Sequence, residues 1–177
     1  EAVTDINFLP LPDKMVWIEQ KIERPDLDED ETVFYCLNFF PETITLSATS
    51  PINNNYYFNW STGQNTNSIE VNQPGIYTVT VTTVDGCEKV KTFTVEASNI
   101  ATIENIDILD GNTTNNQVSI LTSGEGIYEY ELINSEGEST GFQSDSVFTQ
   151  VTPGIYTVNI IDVKNDCGLI SDTLSDI

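Results

Sequence analysis

Apolar and polar positions alternate one by one along most of the chain. Tyr77, Val79 and Val81 share one parity; Thr78, Thr80 and Thr82 share the other. A period of two is that of a strand with one face buried, because successive side chains leave opposite sides of a pleated backbone. The same alternation sets Ile44 with Leu46, Phe58 with Trp60, Ile69 with Val71 and Phe93 with Val95. Further on it sets Ile106 with Ile108, Val118 with Ile120, Tyr128 with Tyr130 and Leu132, and Tyr156 with Val158 and Ile160. Clusters of Pro, Gly, Asn and Asp separate these runs and mark turns. The amino-terminal region is less regular. Ile6 and Phe8 alternate like a strand up to Pro10 and Pro12, and Met15 to Ile22 fits a strand better than a short helix.

One block occurs twice. Pro74-Gly75-Ile76-Tyr77-Thr78-Val79 returns as Pro153-Gly154-Ile155-Tyr156-Thr157-Val158, and each copy runs into a turn and a cysteine, Asp85-Gly86-Cys87 and Asn165-Asp166-Cys167. A duplicated unit fixes domain number more firmly than length does, and here it implies two modules of about 80 residues. Short antiparallel strands at regular spacing, with no convincing helical stretch, predict an all-β chain of two tandem immunoglobulin-like β-sandwich domains. A jelly roll is the alternative. The expected divisions are 1–13, a strand or linker from a preceding domain; 14–98, the first sandwich; and 99–177, the second, with 99–102 as a short linker. Trp60 is expected as the large ring over the first core, and the tyrosine of each Pro-Gly-Ile-Tyr block as a corner that ties a loop.

Composition narrows the chemistry. The 177 residues carry 28 Asp and Glu against 6 Lys and Arg, a net charge of -22, and no histidine. Phosphate backbones and anionic lipid surfaces are bound through clustered Lys and Arg, so nucleic acid and membrane surfaces are excluded as partners. No apolar run is long enough to span a bilayer, so direct membrane insertion is not expected. Without His, the commonest general base, nucleophile activator and zinc ligand is gone. Ser and Thr therefore lack that partner for activation. So many carboxylates form pairs by chance, and nothing marks any pair as facing another across a cleft. No catalytic residue is assigned, and the chain reads as not an enzyme. The absence of a leader suggests a fragment of a longer protein, expected to be monomeric in isolation.

Three cysteines, Cys36, Cys87 and Cys167, are too few and too far apart for a zinc cluster, leaving one disulfide and a spare thiol. A Cys36–Cys87 bond would close a loop of about 50 residues and stabilise by roughly 4 kcal/mol; two buried thiols are the alternative. Cys167 then has no partner in its own domain. A disulfide implies an oxidising place outside the cytosol. Asp26, Asp28 and Asp30 alternate in Asp26-Leu27-Asp28-Glu29-Asp30-Glu31, an oxygen-rich arrangement that could hold calcium. The helix-loop-helix calcium pattern fails, since Glu31 stands where its glycine belongs and Leu37 where its closing Glu belongs. A charge run is more often solvated surface. Tyr56, Tyr57 and Phe142 could form an aromatic platform for extracellular glycans, at least one of the first two having to face outward; lone surface aromatics are, however, common.

The run Thr32-Val33-Phe34-Tyr35-Cys36, then Phe58-Asn59-Trp60-Ser61-Thr62-Gly63-Gln64, then the first Pro-Gly-Ile-Tyr block with Asp85-Gly86-Cys87, resembles the PKD-like, immunoglobulin-like repeats of large Bacteroidota surface proteins. Gly124-Glu125-Gly126-Ile127-Tyr128-Glu129-Tyr130, the second block and Asn165-Asp166-Cys167-Gly168 look like the unit that, in those proteins, directly precedes the gliding-motility-associated C-terminal domain. The two matches cover about residues 32 to 170. In that family the C-terminal domain is a type B sorting signal for type IX secretion, and the repeats form the exported stalk of SprB-type adhesins. The resemblance implies non-catalytic spacer modules on the cell surface, attached to the outer membrane after export, with neighbouring domains of the same chain and the secretion machinery as partners. It further implies the Cys36–Cys87 bond, and O-glycosylation at Ser146 and Thr173, within Asp145-Ser146-Val147 and Asp172-Thr173-Leu174. Accessory domains of a large secreted polysaccharide-degrading enzyme are the second reading.

Overall fold

The computed structural model describes residues 3–11, 14–22, 24–48, 55–109, 116–175 and 177, with residues 3–22 described at the level of strand course and register. Among the described residues every regular element is a strand apart from one 3-10 turn, Leu37–Phe39. The strands are β1 (Val3–Leu11), β2 (Lys14–Ile22), β3 (Glu31–Cys36), β4 (Ile44–Ser47), β5 (Tyr56–Trp60), β6 (Ser68–Val71), β7 (Gly75–Thr83), β8 (Glu88–Ser98), β9 (Thr102–Leu109), β10 (Asn116–Ser123), β11 (Tyr128–Asn134), β12 (Val147–Val151), β13 (Tyr156–Asp162) and β14 (Leu169–Leu174).

β1 and β2 pair antiparallel with each other, Val3 opposite Ile22 and Leu11 opposite Lys14. The region 15–22 is therefore strand, and 1–13 contributes a strand to this hairpin. Residues 12 and 13, at the expected division, lie outside the described residues.

The chain divides into two compact units, and not at one point. The first comprises Glu1–Val33, Thr43–Val71 and Gly75–Val95; the second comprises Phe34–Glu42, Asn72–Pro74 and Glu96–Ile177. The segments 34–42 and 72–74 group with the second unit, on the other side of the expected 98/99 division in sequence.

The first unit is built on a sheet ordered β3-β8-β7-β5, the last residues of β3 and β8 grouping with the second unit, and on the two-stranded sheet β4-β6. Alternation delivers its core: Leu46, Ile69 and Val71 from β4 and β6, and Trp60, Val79, Val81, Phe93 and Val95 from β5, β7 and β8, are all buried. The Trp60 and Phe93 rings meet at a centroid distance of 5.6 Å. The Trp60 indole N–H donates to the Thr66 carbonyl at 2.8 Å, so the large central ring is satisfied at its polar end.

In the second unit sheets β12-β10-β9 and β11-β13-β14 enclose Val118, Ile120, Tyr130, Leu132, Phe148, Tyr156, Val158 and Ile160. Strict alternation fails on β9. Ile106 lies opposite Ile120 and Ile103 opposite Thr122, so one extra residue intervenes on β9. This bulge puts Ile103 and Ile106, three apart in sequence, against the same core. Ile108, expected inside, is 40% exposed. The corner tyrosine forms as expected at Tyr156, whose hydroxyl donates to the Thr152 carbonyl at 3.1 Å.

Candidate functional site

A connected set of polar groups in the second unit surrounds Asp162. Its side chain is the next inward position of β13 after Tyr156, Val158 and Ile160, and it is 1% exposed. A bare carboxylate there would be strongly disfavoured. Four donors answer it. Oδ2 accepts the Ser98 hydroxyl at 2.7 Å and the Cys167 amide at 3.2 Å. Oδ1 accepts the amides of Lys164 at 3.0 Å and Ile127 at 3.2 Å. Burial pushes the Asp162 pKa up, but the Ser98 hydroxyl and the Lys164, Cys167 and Ile127 amides outweigh it and hold the carboxyl below the ordinary Asp value.

The same knot extends through Tyr128. Its hydroxyl donates toward the Asn99 carbonyl and Oδ1, each at 3.2 Å, and accepts the Gly126 amide at 3.0 Å. Burial, followed by the negative charge of Asp162 and the neighbours Tyr130 and Glu125, raises the Tyr128 pKa against the lowering effect of the Gly126 amide. Glycine is required at 126, because a Cβ there would run into the Tyr128 ring and come within 2.7 Å of Asp162 Oδ1.

Against this knot lies the disulfide, which joins Cys36 to Cys167 across a sequence separation of 131, with both residues in the second unit. The expected Cys36–Cys87 bond is not formed, and Cys87 is a half-buried free thiol. The physical reason is the course of the chain: Phe34–Glu42 groups with the second unit, whereas Cys87 stays with the first. Asn165 Nδ2 points to Cys36 Sγ at 3.3 Å, and Asn38 Nδ2 donates to the Cys167 carbonyl at 3.1 Å. The Lys164 ammonium sits 5.5 Å from the Phe34 ring centroid and donates to the carbonyls of Ala97 at 2.8 Å and Glu125 at 3.2 Å. Asp162, Ser98 and Lys164 are not among the residues that sequence patterns single out, and Asn165 enters there only as a turn residue before Cys167. One signal was present: extending the β13 alternation two residues beyond Ile160 puts a carboxylate in the interior.

Part of the acidic run straps onto β8. Asp26, Asp28 and Asp30 are exposed, and Asp30 Oδ1 accepts the Thr92 amide at 2.7 Å. Lys89 donates to the Leu27 carbonyl at 2.6 Å, and Lys91 pairs with Glu31 at 3.2 Å. Among the described residues no group of three or more candidate ligands gathers for a metal.

Of the aromatic candidates, Tyr57 is 68% exposed, Tyr56 is half-buried and Phe142 is 41% exposed. Tyr56 and Tyr57 lie on β5 of the first unit and Phe142 in the second. Ser146 is half-buried, while Thr173 is exposed on β14, at the edge of its sheet. The second unit carries a shallow groove of about 280 Å³ lined by Leu132, Asn134, Glu138, Thr140, Gln150 and Tyr156, among others.

No protein-family profile and no curated protein matches this sequence. Solved structures do match. The chain is similar to a three-immunoglobulin-domain structure of titin, I67–I69 (12% identity, TM-score 0.52, covering 85% of this chain and 63% of that one). It is similar to murine CEACAM1b (12% identity, TM-score 0.51, covering 83% and 97%). It is also similar to the N-terminal eight immunoglobulin domains of Down syndrome cell adhesion molecule (14% identity, TM-score 0.51, covering 91% of this chain), of which it spans 29%. These likenesses establish the fold: an all-β chain of tandem immunoglobulin-like β-sandwich domains.

Proposed function

We propose that this chain is a pair of non-catalytic spacer modules from a secreted, surface-attached bacterial protein, of the PKD-like, immunoglobulin-like kind that carries adhesive or gliding-associated modules further out. The observation that supports this best is the way the polar interior is used. Asp162, the only buried carboxylate among the described residues, is saturated by four donors. No buried side-chain nitrogen or oxygen among the described residues lacks a partner. Chemistry of this kind fixes loops to strands, as a tension-bearing spacer requires. The disulfide favours an oxidising, extracytosolic location, and the surplus of acidic residues keeps neighbouring copies apart in solution. Type IX export, with the secretion machinery and neighbouring domains as partners, belongs to this reading. So does O-glycosylation, for which the exposed Thr173 is favoured over the half-buried Ser146.

The exposure of Tyr57 favours a second reading, in which the first unit is a glycan-binding accessory of a secreted polysaccharide-degrading enzyme. A glycan array probed with the 177-residue chain separates the two. The spacer reading expects no specific signal. Clear binding that is lost in Tyr57→Ala overturns it in favour of the accessory reading.

A further inference from the structure

We propose that the Cys36–Cys167 bond is a mechanical shunt: tension that enters the chain before Cys36 and leaves it after Cys167 crosses through the disulfide and bypasses every residue between them. The inference rests on the spacer reading for its purpose, since only a tethering element is pulled from both sides. The physical claim rests on connectivity alone.

A disulfide is covalent and does not extend at forces that separate strands, so the shortest covalent path between the two flanks carries the tension. That path omits the 131-residue separation. The strands from β4 (Ile44–Ser47) to β13 (Tyr156–Asp162) all lie in the omitted loop, together with both hydrophobic cores built on them. Of the elements, β1, β2 and β3 lie on one flank and β14 on the other. Around the bond, the Asn165 side-chain amide, directed at Cys36 Sγ, and the Asn38 side-chain amide, donating to the Cys167 carbonyl, also link the two segments. Those contacts are single non-covalent hydrogen bonds, each weak against water. Under sustained tension they do not replace the covalent link.

The consequence is a limit on length. With the bond intact only about 45 residues outside it can be drawn out, roughly 150 Å of extended chain at ~3.4 Å per residue, against roughly 600 Å for the whole chain without it.

The test is single-molecule extension of the full chain, with handles at residues 1 and 177. In oxidising buffer the unsubstituted chain is expected to yield no more than roughly 150 Å, and a further increment of roughly 450 Å should appear only after a thiol reductant is added. The Cys87→Ser variant keeps the bond and is expected to behave as the unsubstituted chain does. Cys167→Ser is expected to extend fully without reductant. The oxidised measurements decide the matter even if Cys167→Ser does not fold. Extension of roughly 430 Å in oxidising buffer, as a Cys36–Cys87 bond would give, overturns the proposal. Full extension insensitive to reductant overturns it too. A positive glycan array would displace the spacer reading and leave these lengths unchanged, so the two failures are distinguishable.

Discussion

Asp162 occupies the position at which β13 would otherwise present one more apolar residue to the core, and its four donors come from three separate stretches: Ser98, Ile127, and the turn that holds Lys164 and Cys167. A depressed carboxyl pKa in the folded state means that the unfolded chain binds the proton more readily. Its stabilisation is therefore complete above the unfolded value of about 3.9, and is lost as pH falls through the lower folded value. Urea denaturation across pH 7 to 2 is expected to show this loss in the unsubstituted chain and a flatter profile in Asp162→Asn. At pH 7 that variant is expected to be about 2–3 kcal/mol less stable, because its amide NH2 faces donors where an acceptor is needed. At this scale the sequence was legible where a side chain followed the alternation, as with Trp60 and Tyr156. Saturation of Asp162 was not legible, since half of its donors, the Ser98 hydroxyl and the Ile127 amide, lie 64 and 35 residues away in sequence.

Strand β8 carries a second unexpected inward residue, Lys91, 4% exposed, with its ammonium 4.6 Å from the Phe93 ring centroid and 3.2 Å from Glu31. Removing one member of such a pair leaves the other without its counter-charge, whereas an apolar side chain of similar length removes the need for one. Glu31→Gln is accordingly expected to cost about 1–2 kcal/mol, reduced from the fully buried case because Glu31 is half exposed. Lys91→Met is expected to cost less, and thermal melts of the two variants check the order. The strap from Leu27 to Glu31 accounts for part of the acidic run that alternation alone could assign to calcium. Asp30 already accepts the Thr92 amide, and the melting midpoint is expected to be the same with and without a chelator. The course of most strands and their core parity were readable because both arise from a local period of two, whereas β3, β12 and β14 were not. The β9 bulge was not, since an inserted residue changes the phase without changing composition.

For the molecule as a whole, the cysteine partners could not be read from spacing. Each of the three cysteines stands near a strand end, and their pairing depends on which unit the segment around Cys36 joins. Closing the longer loop constrains the unfolded chain more: about 5 kcal/mol for a separation of 131 against about 4 for the loop to Cys87. Cys36→Ser or Cys167→Ser is therefore expected to lose stability approaching about 5 kcal/mol relative to the oxidised chain, read as a lower urea midpoint, while Cys87→Ser changes stability by less than about 0.5 kcal/mol. The closed ring also bears on survival among proteases. A cut at an exposed turn such as Asp85-Gly86 falls inside the ring, so the two pieces stay on one covalent body. A nicked chain is expected to migrate as one band without reductant and as two with it, and whatever the flanks hold remains tethered after the peptide bond is gone.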